Sequence, residues 1–214
     1  MQRFNSRTYL TSPGHGRTTL VYPKDSIVFR QSADADSVFF LHGGRVKLSV
    51  ASRHGRTAVI GVVAAGEFFG EGCLAGQKHR VATAETMTEC RLVRLKKSAV
   101  LHLLEEQPSF ARLFGRHLLS RASRLESDLI DQLLYPAEKR LGRTLLMLAE
   151  LDHAHTPHAI TTPISQRTLA EMVGTTRPRV SHFMTKFRRM GLISGGRDRL
   201  HVHRSLLRQV IDQL

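Results

Sequence analysis

Residues 174–191 read GTTRPRVSHFMTKFRRMG. Val180, Phe183, Met184 and Phe187 fall at i, i+3, i+4 and i+7, the apolar stripe of an α-helix. Pro178 fits that helix only in its first turn, where a backbone N–H has no intrahelical partner. Thr176 is then the expected N-cap, its hydroxyl accepting from a first-turn N–H, and Gly191 the stop. Away from the stripe stand Arg177, Arg179, Ser181, His182, Thr185, Lys186, Arg188 and Arg189. Between Thr175 and Arg199 there are seven Lys or Arg against one acid, Asp198. A helix face that is merely solvated mixes charge signs, so this composition marks a face for nucleic acid. Just upstream, Ser165 is placed to cap a helix burying Leu169, Ala170, Met172 and Val173, and Gly174 supplies the turn between the two. Two short helices joined by a glycine turn, the second basic, read as a helix-turn-helix. The following LISGGRDRLHVH, residues 192–203, reads as a two-stranded wing about a Gly-Gly turn.

Working back along the chain, residues 109–134 contain no proline and one glycine. They predict a helix about 39 Å long at 1.5 Å per residue. Ala111, Gly115, Leu118, Ala122, Leu125, Leu129 and Gln132 step by alternating fours and threes, a narrow heptad seam. A helix lying on its own domain would want a wider apolar stripe. The spacing therefore predicts a parallel homodimer joined at Leu118, Ala122, Leu125 and Leu129. Leu134–Tyr135 is the expected hinge, and Pro136 opens the next helix. From Leu20 to about Leu95, short β-prone runs alternate with glycine turns, clearest in SVFFLHGGRVKLSV, RTAVIGVVAAGEFFG and CRLVRL. That pattern predicts a sandwich or barrel-like roll. The expected architecture is α+β, in four parts. A basic arm spans 1–19, a jelly-roll-like β-roll 20–108, a dimerisation helix 109–134 and a winged helix-turn-helix 135–214.

Composition narrows the function. The 214 residues carry a net charge of +14 with a sequence pI near 10.9. Residues 1–137 hold 19 basic and 12 acidic side chains, and residues 138–214 hold 13 and 6. The same excess of seven thus sits on a shorter C-terminal part, which points to a polyanion partner there. No apolar run has the length of a membrane span, and residues 1–20 lack a signal peptide's apolar centre, so a cytoplasmic location is expected. Cys73 and Cys90 are expected as buried thiols, and their number does not support an iron–sulfur cluster held by one chain. No Walker loop, HExxH, GxSxG or HRD motif is present, which argues against an enzyme. His153, His155 and His158 form a short His-rich loop, but with no cysteine nearby and no i, i+4 helical pair no metal site is assigned.

β-roll, long helix and winged helix-turn-helix, in that order, resemble the Crp/Fnr family of bacterial transcription regulators. The resemblance rests on GEFFGE with HRVATA downstream and on ISQRTLAEMVGTTRPRVSHFMTKFRRMGLI. It implies a regulator that binds a two-fold symmetric site on double-stranded DNA as a homodimer, and that contacts RNA polymerase if it activates. It implies that Arg177 reads guanine, as the family's arginine does. Pro178 and His182 replace the family's next two base readers. It also implies a phosphate-binding cassette from Gly70 to about Ala82, with Glu71 taking a ribose hydroxyl and Arg80 a cyclic phosphate. Here the chain departs from the cAMP binders. Val81 stands where they have Ser or Thr, and Leu125–Glu126 stand where they have the Thr–Ser pair that reads adenine. Two readings of the cassette stay open: a cyclic nucleotide or cyclic dinucleotide effector, or an empty cassette in which Glu71 and Arg80 pair with each other.

Overall fold

The computed structural model describes residues 9–10, 14, 16–151, 159–160, 164–196 and 200–213. His153, His155 and His158 lie outside these. The chain forms two compact units, Met1–Leu125 and Glu126–Leu214.

The first unit is a β-roll of β1 (Arg17–Tyr22), β2 (Ile27–Phe29), β3 (Ser37–Gly43), β4 (Arg45–Ala51), β5 (Thr57–Ala64), β6 (Phe68–Phe69), β7 (Thr83–Thr86) and β8 (Cys90–Lys96). They make two antiparallel sheets, ordered β1-β8-β3-β6 and β2-β7-β4-β5. Phe39, Leu41, Val46, Leu48, Phe69, Ala84 and Leu92 form one core cluster of the roll, Phe39 and Phe69 stacking at 5.2 Å. Gly44 turns β3 into β4 at φ 92°, where a Cβ would lie 2.2 Å from the Glu89 carbonyl. Only glycine serves there.

Two helices follow, α1 (Lys97–Glu106) and α2 (Pro108–Leu134). Gln107 is extended between them, at φ −124° and ψ 90°, because a following proline disfavours the helical region. Val100, Leu103, Phe110 and Phe114 pack with Val38, Phe68, Val93 and Leu95 of the roll. Past Phe114 the apolar residues of α2 are exposed or partly so, and α2 runs on into the second unit.

That second unit adds α3 (Ala137–Leu151), β9 (Ala159–Ile160), α4 (Gln166–Val173), α5 (Arg177–Arg189), β10 (Ile193–Gly195), β11 (Leu200–Val202) and α6 (Arg204–Gln213). The expected stripe of α5 is buried at Val180, Met184 and Phe187, with Phe183 at its margin. Leu141, Leu145, Leu148, Leu169, Val173, Leu192, Ile193, Val202, Leu207 and Ile211 complete that core. The wing sheet has three strands, β10-β11-β9, rather than the two the sequence suggests. A two-residue strand has no period to read.

Candidate DNA-binding face and effector cassette

Local chemistry sets the two helices of the motif. Ser165 Oγ accepts from the Thr168 amide at 3.0 Å, opening α4. Gly174 closes α4 in the left-handed region, at φ 69°. Thr176 occupies the N-cap of α5 at φ −97° and ψ 151°, but its side chain makes no capping hydrogen bond. This corrects the expectation above. Pro178, the second helical residue, has no N–H to give, and the hydroxyl does not take the N–H of the third, Arg179.

On α5, Thr176, Arg177, Arg179, His182, Thr185, Lys186, Arg188 and Arg189 are exposed, and Ser181 is half-buried. They share the side opposite Val180, Met184 and Phe187, or its margins. Among the described residues no acid pairs with Arg177, Arg179, Arg188 or Arg189. Lys186 is different: its Nζ lies 2.8 Å from Glu138 Oε1 on α3. Thr185 donates its hydroxyl to the Ser181 carbonyl at 3.0 Å. The face thus offers four guanidiniums, three hydroxyls and the His182 imidazole, with one cation, Lys186, committed within the unit.

The cassette does not pair Glu71 with Arg80. Gly70, at φ 77°, leads into a short 3-10 helix, Glu71–Ala75. The Arg80 side chain is 4% exposed. Its Nη1 donates to the Gly70 carbonyl at 2.7 Å, and its Nη2 to the Ser37 carbonyl at 2.8 Å and Ser37 Oγ at 3.1 Å. The guanidinium sits 4.4 Å from the Phe29 ring centre, with Asp36 at 3.9 Å. Burial, opposed by neighbouring groups such as Asp36, draws Arg80 below its ordinary pKa. Glu71 does not pair with Arg80; its Oε1 lies 3.4 Å from Arg121 Nε on α2. The empty-cassette ion pair is therefore replaced by an ion pair to the helix. Val81, Leu125 and Glu126 are exposed.

Three residues on α2 escaped the sequence reading. Arg124 Nη1 meets Glu67 Oε1 at 2.6 Å, Arg121 meets Glu71, and the His117 ring stands edge-on to Phe68 at 5.4 Å. With Phe110 and Phe114 they repeat the 4-3-4-3 step, so α2 has a roll-facing stripe beside the predicted seam. Its polar half hid it. Leu118, Ala122, Leu125 and Leu129 are exposed, joined by Leu119, Ile130 and Leu133, so the uncovered apolar face is wider than a narrow seam. Gln132 leaves that seam: a Cβ on Gly174 would lie 2.6 Å from its amide nitrogen. Cys73 and Cys90 are free and buried, and burial raises both thiols above their ordinary range. No described helix is long and apolar enough to cross a membrane. The described residues include no cluster of three or more metal-ligating side chains.

A β-roll with a cassette, a long helix and a basic winged helix-turn-helix define a class of DNA-binding regulator. The cyclic nucleotide-binding domain family matches residues 19–107, and the Crp-like helix-turn-helix domain family matches residues 139–209. Together they span about three quarters of the chain. The CRP-like cAMP-activated global transcriptional regulator of Mycobacterium tuberculosis is 25% identical over 174 residues, 80% of this chain and 78% of that one. The HTH-type transcriptional regulator Cmr of the same organism is 29% identical over 171 residues, 80% of this chain and 66% of that one. The c-di-GMP responsive global regulator CLP of Xanthomonas campestris shares the fold, with a TM-score of 0.76 at 22% identity over 87% of this chain and 94% of that one. The chain belongs to the Crp/Fnr family: it is a DNA-binding transcription regulator and not an enzyme.

Proposed function

We propose that this regulator works in the cytoplasm as a homodimer and reads a two-fold symmetric operator without needing cAMP. The carrying observation is the exposed face of α5, where four guanidiniums have no acid paired with them among the described residues. Arg177 reads guanine through O6 and N7, which match its fork. Arg179 and His182 supply the contacts that Pro178 cannot, and Arg188, Arg189, Thr176, Ser181, Thr185 and Lys186 hold backbone phosphates. Lys186 exchanges Glu138 for phosphate on binding. The uncovered side of α2 at Leu118, Ala122, Leu125 and Leu129 pairs the two chains, placing the recognition helices about one DNA turn, roughly 34 Å, apart. RNA polymerase is the further partner if the protein activates.

The cassette residues do not fit cAMP as they stand. Arg80 Nη1 and Nη2 already donate to backbone carbonyls, Glu71 lies beside Arg121, and Val81 offers no hydroxyl, although Arg80 Nε and Glu71 Oε2 keep no partner among the described residues. A cyclic phosphate would have to displace those bonds without the hydroxyls that complete such a site elsewhere. An effector of the nucleotide class, a cyclic dinucleotide included, remains the ligand chemistry this domain supports; cAMP is not its activator. Nuclease footprinting on a site selected from random duplex tests the central claim. A regulator of this kind protects two symmetric half-sites, and protection with no symmetric pattern would point to an architectural binder instead.

A further inference from the structure

The end of α2 and the recognition motif are tied together by one side chain that the reading above leaves idle. Arg140, on the first turn of α3, donates from Nε to the Val173 carbonyl at 3.1 Å and from Nη1 to the Tyr135 carbonyl at 2.7 Å. Val173 is the last residue of α4, and Tyr135 follows the last residue of α2. Both carbonyls lie where helices end and intrahelical donors run out, so a forked cation satisfies two orphans at once.

Further ties run the same way. Arg143 Nε pairs with Asp131 Oδ2 on α2 at 2.8 Å. Lys139 Nζ stands 4.2 Å from the Tyr135 ring centre. Gly174, in the turn between α4 and α5, is packed against Gln132 of α2 so closely that a Cβ there would lie 2.6 Å from its amide nitrogen. Lys186 of α5 reaches Glu138 of α3 at 2.8 Å. The compact-unit boundary agrees: residues 126–134 of α2 belong with the DNA-binding unit, and Leu134–Tyr135 lies inside it.

The geometry points to Arg140 as a positioning residue that fixes the angle between the end of α2 and the recognition helix. Leu129, Ile130 and Leu133 are exposed on that same length of α2. Two chains paired there carry their recognition helices at a set separation, so Arg140 determines which half-site spacing the dimer accepts. Arg140 touches no DNA in this scheme; it acts through α4 and α2. The inference rests on the proposed pairing of two chains through α2.

The test reads spacing rather than affinity. Half-sites are taken from duplexes selected by the wild-type protein, and the spacer is then lengthened or shortened by one base pair. Each added pair turns one half-site by about 34° and moves it by about 3.4 Å. The wild-type dimer loses roughly tenfold or more in affinity on either change, on the scale of a single mismatch. Arg140→Gln, sedimenting as a dimer, is expected to shrink that penalty to less than about threefold, because its recognition helices can swing to follow the site. Asp131→Asn, which cuts the second tie and leaves Arg140 in place, is expected to shrink it in the same direction and serves if Arg140→Gln does not fold. An unchanged spacing penalty, even with weaker binding at every spacing, overturns the proposal and leaves Arg140 a stabiliser of the fold only. A wild-type protein that sediments as a monomer would instead sink the pairing through α2, a separate failure visible before any spacing is measured.

Discussion

Arg177 stands in the first turn of α5, exposed and without an acid partner among the described residues. Replacing it with Ala is expected to cost roughly 1–3 kcal/mol at one base pair and to flatten preference there. Equal weakening on every sequence in a competition assay would make it a phosphate contact. A second residue, His117, carries a pH dependence. Burial, opposed in part by Glu71 and Glu67 and aided by Arg121 and Arg124, lowers its pKa from the ordinary 6.5. As pH falls below that value, the unfolded chain takes up a proton that the folded one resists, so stability drops with acidification. The drop begins near the unfolded value and levels off below the folded one. Melting of the β-roll unit is therefore expected to fall between pH 7.5 and 5.5, and His117→Gln to lose part of that slope. An identical slope in both proteins would show that other groups carry it.

At the scale of elements, α2 is the informative case because two stripes run along one helix. The roll-facing stripe uses Phe110 and Phe114, then His117, Arg121 and Arg124; the other exposes Leu118, Leu125 and Leu129. The second overlaps the heptad read from the sequence at those three leucines, while Gln132 lies against Gly174 and Leu119, Ile130 and Leu133 widen the exposed face. The first was invisible because its anchor pairs, Arg121 with Glu71 and Arg124 with Glu67, look in the sequence like solvated charges. A Leu125→Lys change would set like charges face to face on a two-fold seam. Monomers are the expected result in sedimentation, with operator affinity down roughly a hundredfold or more as the second half-site is lost. An unaltered dimer would place the seam elsewhere. The winged motif shows the converse case. Its two helices were legible because glycine turns and the 3.6 period are local signals, although the expected Thr176 capping bond is not made, whereas β9 and α6 were not read at all.

For the whole molecule, the proposal that cAMP is not the activator is the most exposed to test. Calorimetry with cAMP, cGMP and cyclic di-GMP, run beside an operator-binding assay, is expected to show cAMP binding weaker than roughly millimolar and operator affinity unchanged by it. A ligand shifts regulation only by binding the DNA-competent state better than the other. Micromolar cAMP binding that tightens the operator complex would mean that Arg80 gives up Gly70 and Ser37 readily. The sequence by itself determined the order of roll, long helix and winged motif, the buried stripe of α5 and its basic outer face. Each of those is a period or a composition carried by neighbouring residues. Only the tertiary structure decided that Arg80 turns onto Ser37, 43 residues away, that Arg124 finds Glu67 across 57, and that Arg140 joins Tyr135 to Val173. A buried polar side chain takes whichever partner folding brings within about 3 Å, and no local pattern encodes that distance.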